Sequence, residues 1–288
     1  MVKLAWILLL IAIAGVGTIG VLVRASSVRV RKEISPHTIR RLVDVPAEAW
    51  ARLSQKTIFF GHQSVGKNII DGVRNLTESD KSVSLNIVET KDAKTIVSPM
   101  FVHATVGRNR SPESKIAEFK ELMENGFGEK VDIAFFKFCY VDMGKDSNPE
   151  AILAAYCEAM DSLKTRFPEV VFVHVTVPLR APYRRRAVMA AMDRLLDRSV
   201  ELQDNEIRER YNALLRERVS GKEPLFDLAL YETLDPQGLR HYSLKGGQEV
   251  PILARSYTDD GGHLNAVGRR HVAEQLLISL LDITGSSP

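Results

Sequence analysis

Thr57-Ile58-Phe59-Phe60-Gly61-His62-Gln63-Ser64-Val65-Gly66 is the stretch on which the fold turns. Thr57–Phe60 is a short run of β-branched and aromatic residues, which reads as a buried strand. From Val65 to Leu76 the apolar residues Ile69, Ile70, Val73 and Leu76 recur at helical spacing, so a helix comes next. Ser64 therefore stands at a strand-to-helix junction, where backbone N–H groups are free to meet negative charge.

Outward from this junction the alternation continues. Val83–Glu89 reads as a second strand, 91–112 as a loop, and Pro112–Asn125 as an amphipathic helix. Val131–Val141 is a long apolar strand interrupted by Asp132 and Lys137. Pro149–Phe167 reads as a helix, Val170–Val177 as a buried strand stopped by Pro178, and Arg184–Arg218 as a helix. Leu225–Leu228 is a short strand and Asn265–Leu281 the final helix. Strands alternating with helices predict an α/β fold with a mainly parallel sheet covered on both faces. Such sheets carry their sites at the carboxyl ends of the strands. Ser64 and the end of the Val131 strand both occupy that position.

The chain has 288 residues, enough for one sizeable domain with extensions. Its formal net charge is +3, but the first fifty residues hold seven Lys and Arg against three Asp and Glu. The basic surplus is thus a property of the neck, which argues against nucleic-acid binding. Leu4–Val23 is uncharged and long enough to cross a bilayer. The organisation expected is an uncleaved transmembrane anchor over 1–25, a basic linker over 26–50 and one domain over 51–285. Cleavage near Val23-Arg24-Ala25 would give a secreted protein instead. Positive charge after the span favours a cytoplasmic domain, yet a span behind a short Lys3-bearing tail usually exports the domain attached to it; the expectation is an extracytoplasmic domain.

Asp260-Gly261-Gly262-His263-Leu264-Asn265, with Gly268 shortly after, sets a carboxylate and an imidazole three residues apart on a glycine-rich turn. A carboxylate beside one ring nitrogen fixes the tautomer and leaves the other nitrogen able to take a proton. The partner such a pair lacks is a nucleophile, and Ser64 is the candidate. Cys139 and Cys157 lie in apolar and helical patterns and read as free buried thiols. Lys137 needs a carboxylate, carbonyl or water partner within its apolar run. His103, His174, His241 and His271 lack metal-type spacing, so no metal or other cofactor is expected.

Residues 55–282 resemble the SGNH/GDSL hydrolases. The strand running into Gly61-His62-Gln63-Ser64 is similar to the family's Gly-Asp-Ser block, one residue longer. Asp260, His263, Leu264, Asn265 and Gly268 match its last block. The resemblance implies a flavodoxin-like three-layer α/β/α sandwich and a serine esterase or carbohydrate deacetylase acting on a small-molecule or carbohydrate ester. It makes Ser64 the nucleophile, His263 the general base and Asp260 its orienter. It makes the Gly107 N–H an oxyanion donor. Where the family's third block carries an oxyanion-binding Asn, this chain has Val141, and Asn109 or Gln63 is the candidate replacement. His62 is a candidate substrate contact.

Two other readings stay open. One is a non-catalytic glycan- or partner-binding module on the same fold, supported by Val141. The other is a nucleotide-binding protein, because Gly61–Asn68 nearly matches a P-loop but ends in Asn68 where a magnesium-binding hydroxyl belongs.

Overall fold

The computed structural model describes residues 28–32, 39–79, 83–97, 99–182 and 200–285. In chain order these form β1 (Arg29–Lys32), α1 (Ala47–Leu53), β2 (Ile58–His62), α2 (Val65–Ser79), β3 (Ile87–Glu89), β4 (Phe101–Thr105), α3 (Pro112–Leu122) and β5 (Ile133–Phe136). The chain continues through α4 (Pro149–Arg166), β6 (Val171–Phe172), β7 (His174–Val175), α5 (Val200–Val219), β8 (Leu225–Phe226), α6 (Leu228–Thr233), β9 (Leu239–Lys245), β10 (Gln248–Pro251) and α7 (Ala266–Gly285).

The central sheet is parallel, in the order β3-β4-β2-β5-β6. β6 and β7 are successive parts of one extended run. Val173 N–H donates back to Ala134 O at 3.0 Å, and His174 N–H donates outward to Pro224 O at 2.9 Å, where β8 takes over the pairing. Side chains alternate across this sheet as the strand pleat requires. Phe60, Phe101, Ile133 and Phe135 face one core with α1, α2 and α7, while Phe59, Val102, Ala134 and Phe136 face another with α3, α4 and α5. Every residue of β2 is buried, which is why it reads as an unbroken apolar run rather than an alternating one.

Chain order places the site. From β2 the chain moves to β3 and β4 on one side, then returns to β5 on the other. The carboxyl end of β2 is thus the topological switch point, where a crevice opens between outgoing loops.

Three expectations change. The loop expected over 91–112 contains β4, whose Phe-Val-His-Ala-Thr run is masked by His103, a fully buried histidine. The long Val131 strand keeps ladder geometry only over Ile133–Phe136 and then turns through a 3-10 segment at Tyr140–Asp142. Within the segment read as a basic linker, β1 pairs antiparallel with β9, which pairs in turn with β10. The Leu4–Val23 span and the first part of the Arg184–Arg218 helix lie outside the described residues. Among those described, no helix is long and apolar enough to cross a membrane.

Candidate active site

Ser64 lies just past the end of β2 and has φ 46°, a left-handed conformation unusual for a residue with a side chain. Holding it there costs about 1–3 kcal/mol, and such outliers cluster at functional sites. The turn is tight: Gly66 N–H donates to Gln63 O at 2.9 Å and Lys67 N–H to Ser64 O at 2.8 Å. It also needs a glycine at position 66, because a Cβ there would lie 2.3 Å from His62 Cβ. These engaged amides are the ones a P-loop would offer to phosphate, and Lys67 instead pairs with Asp71 at 3.6 Å.

Ser64 Oγ lies 2.7 Å from His263 Nε2, although 199 residues separate them in sequence. His263 Nδ1 lies 2.6 Å from Asp260 Oδ2. The other oxygen of Asp260 accepts the backbone N–H groups of Gly262 and His263, both at 2.8 Å. Burial pushes the Asp260 carboxyl upward. Hydrogen bonds from the His263 ring and from those two amides outweigh it and hold the group well below the ordinary carboxylate range. A carboxylate at Nδ1 fixes the ring proton there, so Nε2 faces the serine as an acceptor. The Ser64 helix and the His263 turn are tied directly: Leu264 N–H donates to Asn68 Oδ1 at 3.1 Å. Asn68, a mismatch in the P-loop pattern, is a fastener here.

The remaining residues expected at the site are placed differently. Gly107 N–H donates to Glu118 Oε2 at 2.7 Å, so it is not free for an oxyanion. Gln63 Nε2 donates to Gly107 O at 2.7 Å. Asn109 is exposed, and its Oδ1 accepts from Lys115 Nζ at 3.1 Å. His62 is buried in the sheet, with Nε2 3.1 Å from His103 Nδ1, and does not reach the surface as a substrate contact would. Arg74 approaches His103 Nε2 at 3.2 Å. Because arginine only donates, the shared proton sits on His103 Nδ1 and the proton of His62 on Nδ1. Burial depresses both imidazoles, to about 2 for His62 and about 4 for His103.

A buried polar floor lies under the Tyr140–Asp142 turn. Lys115 and Asp142 form an ion pair with side chains 1% and 0% exposed. Asp142 also accepts Cys139 N–H at 2.6 Å and Arg110 N–H at 2.8 Å. Lys137, fully buried, donates to Phe138 O at 3.1 Å and approaches Cys139 Sγ at 3.5 Å, which is structural pairing. Burial pushes its ammonium down.

Tyr140 is the site residue that sequence reasoning missed. Its ring stands edge-on to His263, with centroids 6.0 Å apart. Arg180 and Arg208 lie over its ring at 5.3 and 5.9 Å. Arg208 Nε also donates to Tyr140 O at 2.8 Å. A cavity of about 540 Å³ opens beside Asp260 and Gly261, lined in part by Arg255, Ser256, Thr258 and Asp259. Among the described residues no group of His, Cys, Asp and Glu is arranged to hold a metal ion.

No protein-family model and no curated protein matches the chain. Solved structures do. A Streptococcus pneumonia protein assigned as a platelet activating factor is 19% identical over 75% of this chain and 92% of its own, with a TM-score of 0.42. An acetyl esterase mutant with an acetate ion is 12% identical over 80% and 97%, with a TM-score of 0.44. A Desulfitobacterium hafniense protein assigned to the G-D-S-L lipolytic family is 9% identical over 78% and 99%, with a TM-score of 0.41.

Proposed function

We propose that this chain is an ester-acting enzyme, a hydrolase or acyltransferase of the SGNH/GDSL kind, with Ser64 as nucleophile, His263 as general base and Asp260 as its orienter. One observation carries the reading. Residues from opposite ends of the chain meet in an unbroken line at the switch point, Ser64 Oγ to His263 Nε2 at 2.7 Å and His263 Nδ1 to Asp260 at 2.6 Å. A surface turn has no structural need for this alignment, which is the arrangement nucleophilic catalysis requires.

In the first step Ser64 Oγ attacks the ester carbonyl while its proton passes to His263 Nε2. Asp260 stabilises the imidazolium through Nδ1 and stays ionised, consistent with its depressed carboxyl. The imidazolium then protonates the departing alcohol. Water or an acceptor hydroxyl, deprotonated by the same nitrogen, releases the acyl group from Ser64.

The finer reading is a carbohydrate O-acetyl ester as substrate. The cavity beside Asp260 supports it, since Ser256, Thr258 and Asp259 offer hydrogen-bonding groups to a hydroxylated alcohol rather than an apolar slot for a long acyl chain. The apolar Leu4–Val23 run would tether such an enzyme to a membrane, with the domain on the extracytoplasmic side.

The test is turnover of p-nitrophenyl esters of increasing chain length, and acetate release from an O-acetylated polysaccharide, by wild type beside Ser64→Ala and His263→Ala. Each variant is expected to lose on the order of 10⁴-fold or more in kcat. Wild type without turnover, or Ser64→Ala with full turnover, would replace this reading by the binding-module one.

A further inference from the structure

A tetrahedral intermediate on Ser64 needs donors for its oxyanion, and the site is short of amides. The Gly107 N–H and the side chains of Gln63 and Asn109 are engaged in holding loops. Val141 has no polar side chain. The backbone N–H of Ser64 has no acceptor among the described residues and supplies one donor. One donor alone is a weak oxyanion site.

The phenol of Tyr140 lies against the turn that carries His263. Its hydroxyl fills the space that a side chain at residue 262 would take: a Cβ on Gly262 would lie 2.9 Å from the Tyr140 oxygen. The Ser64 hydroxyl is the last and smallest of the influences on the phenol, pulling it down against burial. The well-formed bond of the Ser64 hydroxyl goes to His263, so the phenol does not compete with the base for it. The tyrosine is held rigidly. Arg208 grips its carbonyl, Asp142 closes the turn on Cys139 N–H, and Lys115 neutralises Asp142 in the dry floor.

We propose that the Tyr140 hydroxyl is the second oxyanion donor, acting with the Ser64 N–H in place of a side-chain amide. The proposal rests on the serine-esterase reading above. As Ser64 Oγ bonds to the carbonyl carbon and its proton moves to His263, the C=O pair shifts onto oxygen. The phenol donates a hydrogen bond to that oxygen and keeps its proton. Collapse restores the carbonyl and expels the alcohol oxygen, which takes its proton from His263. A donor fixed beforehand needs no reorganisation as the charge develops. Burial pushes the phenol up, against the pull of Arg180, so it remains protonated and able to donate.

The test is kcat and KM for p-nitrophenyl acetate in Tyr140→Phe, which keeps the ring, its edge contact and both guanidinium contacts. The expected result is a fall of about 10²–10³-fold in kcat with KM within threefold. Affinity for a boronic acid, which forms a tetrahedral anion on serine, should fall by a similar factor while affinity for acetate does not. Gly262→Ala is the second variant. Its new methyl presses on the phenol, and it should lower kcat in the same direction by a smaller factor. If Ser64→Ala is inactive while Tyr140→Phe and Gly262→Ala both turn over within threefold of wild type, the Tyr140 assignment is overturned and the triad stands. If Ser64→Ala is fully active, the esterase reading falls and takes this one with it.

Discussion

The Asp260–His263 turn is open to solvent, with side chains 56% and 47% exposed, and the bonds Asp260 makes within it span at most four residues of sequence; from outside it is tied by Ala181 N–H to Gly261 O at 3.0 Å and by Leu264 N–H to Asn68. The Tyr140–Asp142 turn, which packs against it, is buried at Tyr140 and Asp142 and is held by Lys115, Arg110 and Arg208 from distant parts of the chain. The first therefore takes the carboxylate–imidazole geometry from bonds within four residues. The second exists only once the sheet, α3 and α5 have packed around it. The contrast predicts that damage to the exposed turn removes activity and spares stability, while damage to the buried one removes stability and takes activity with it.

Asp260→Asn tests the exposed side and should give the largest effect. An amide at this position donates where the carboxylate accepted, so the imidazole tautomer that faces Ser64 is disfavoured. Loss of the orienting carboxylate in a buried triad costs on the order of 10⁴ in kcat. Here water screens the pair, so the fall expected is about 10²–10⁴-fold, with an unchanged thermal midpoint. A midpoint lowered by several degrees would mean that this turn is part of the global fold after all.

Lys115→Met tests the buried side. It leaves the Asp142 carboxylate in the dry floor with only two backbone N–H partners. Breaking a buried ion pair by removing one partner destabilises by about 3–5 kcal/mol. Urea titration should show that loss as a lower midpoint, and kcat should fall in the surviving folded fraction because the Tyr140 turn loosens. Lys115→Met combined with Asp142→Asn should recover part of the stability. A single variant as stable as wild type would erase the distinction between the two turns.

The same contrast explains what could be read from the sequence. The β2–α2 junction was legible because the apolar period changes abruptly at Ser64, from a continuous run to helical spacing. The Asp260–His263 pair was legible because its geometry is encoded in four residues. β4 was not, since His103 breaks an apolar run that only its buried neighbour His62 explains. The β9–β10 hairpin carried a usable signal, the paired glycines Gly246 and Gly247 at φ 56° and 85°, which a two-residue hairpin favours. Tyr140 carried none. The family resemblance points to Val141, whereas the preceding residue, at the start of the 3-10 turn Tyr140–Asp142, is the one that packs against His263. The oxyanion candidates that the family resemblance implies are amides, and the fold engages them in holding the loop between β4 and α3.

Asn68→Ala probes the join between the two regions and should give the smallest effect of the set. Asn68 sits one turn into the Ser64 helix and accepts from Leu264, the residue after His263. Its removal leaves one buried N–H unsatisfied, at a cost of about 1–3 kcal/mol. That cost alone does not distinguish a tether from an ordinary buried hydrogen bond. The kinetics do. If Asn68 sets the distance between serine and imidazole, kcat should fall several-fold at a temperature where the variant is fully folded, with KM unchanged. A variant that melts earlier but turns over at the wild-type rate would show that the exposed turn finds Ser64 through its own glycines and the packing of α7 on α2. Its independence from the rest of the molecule would then be greater than the hydrogen bond implies.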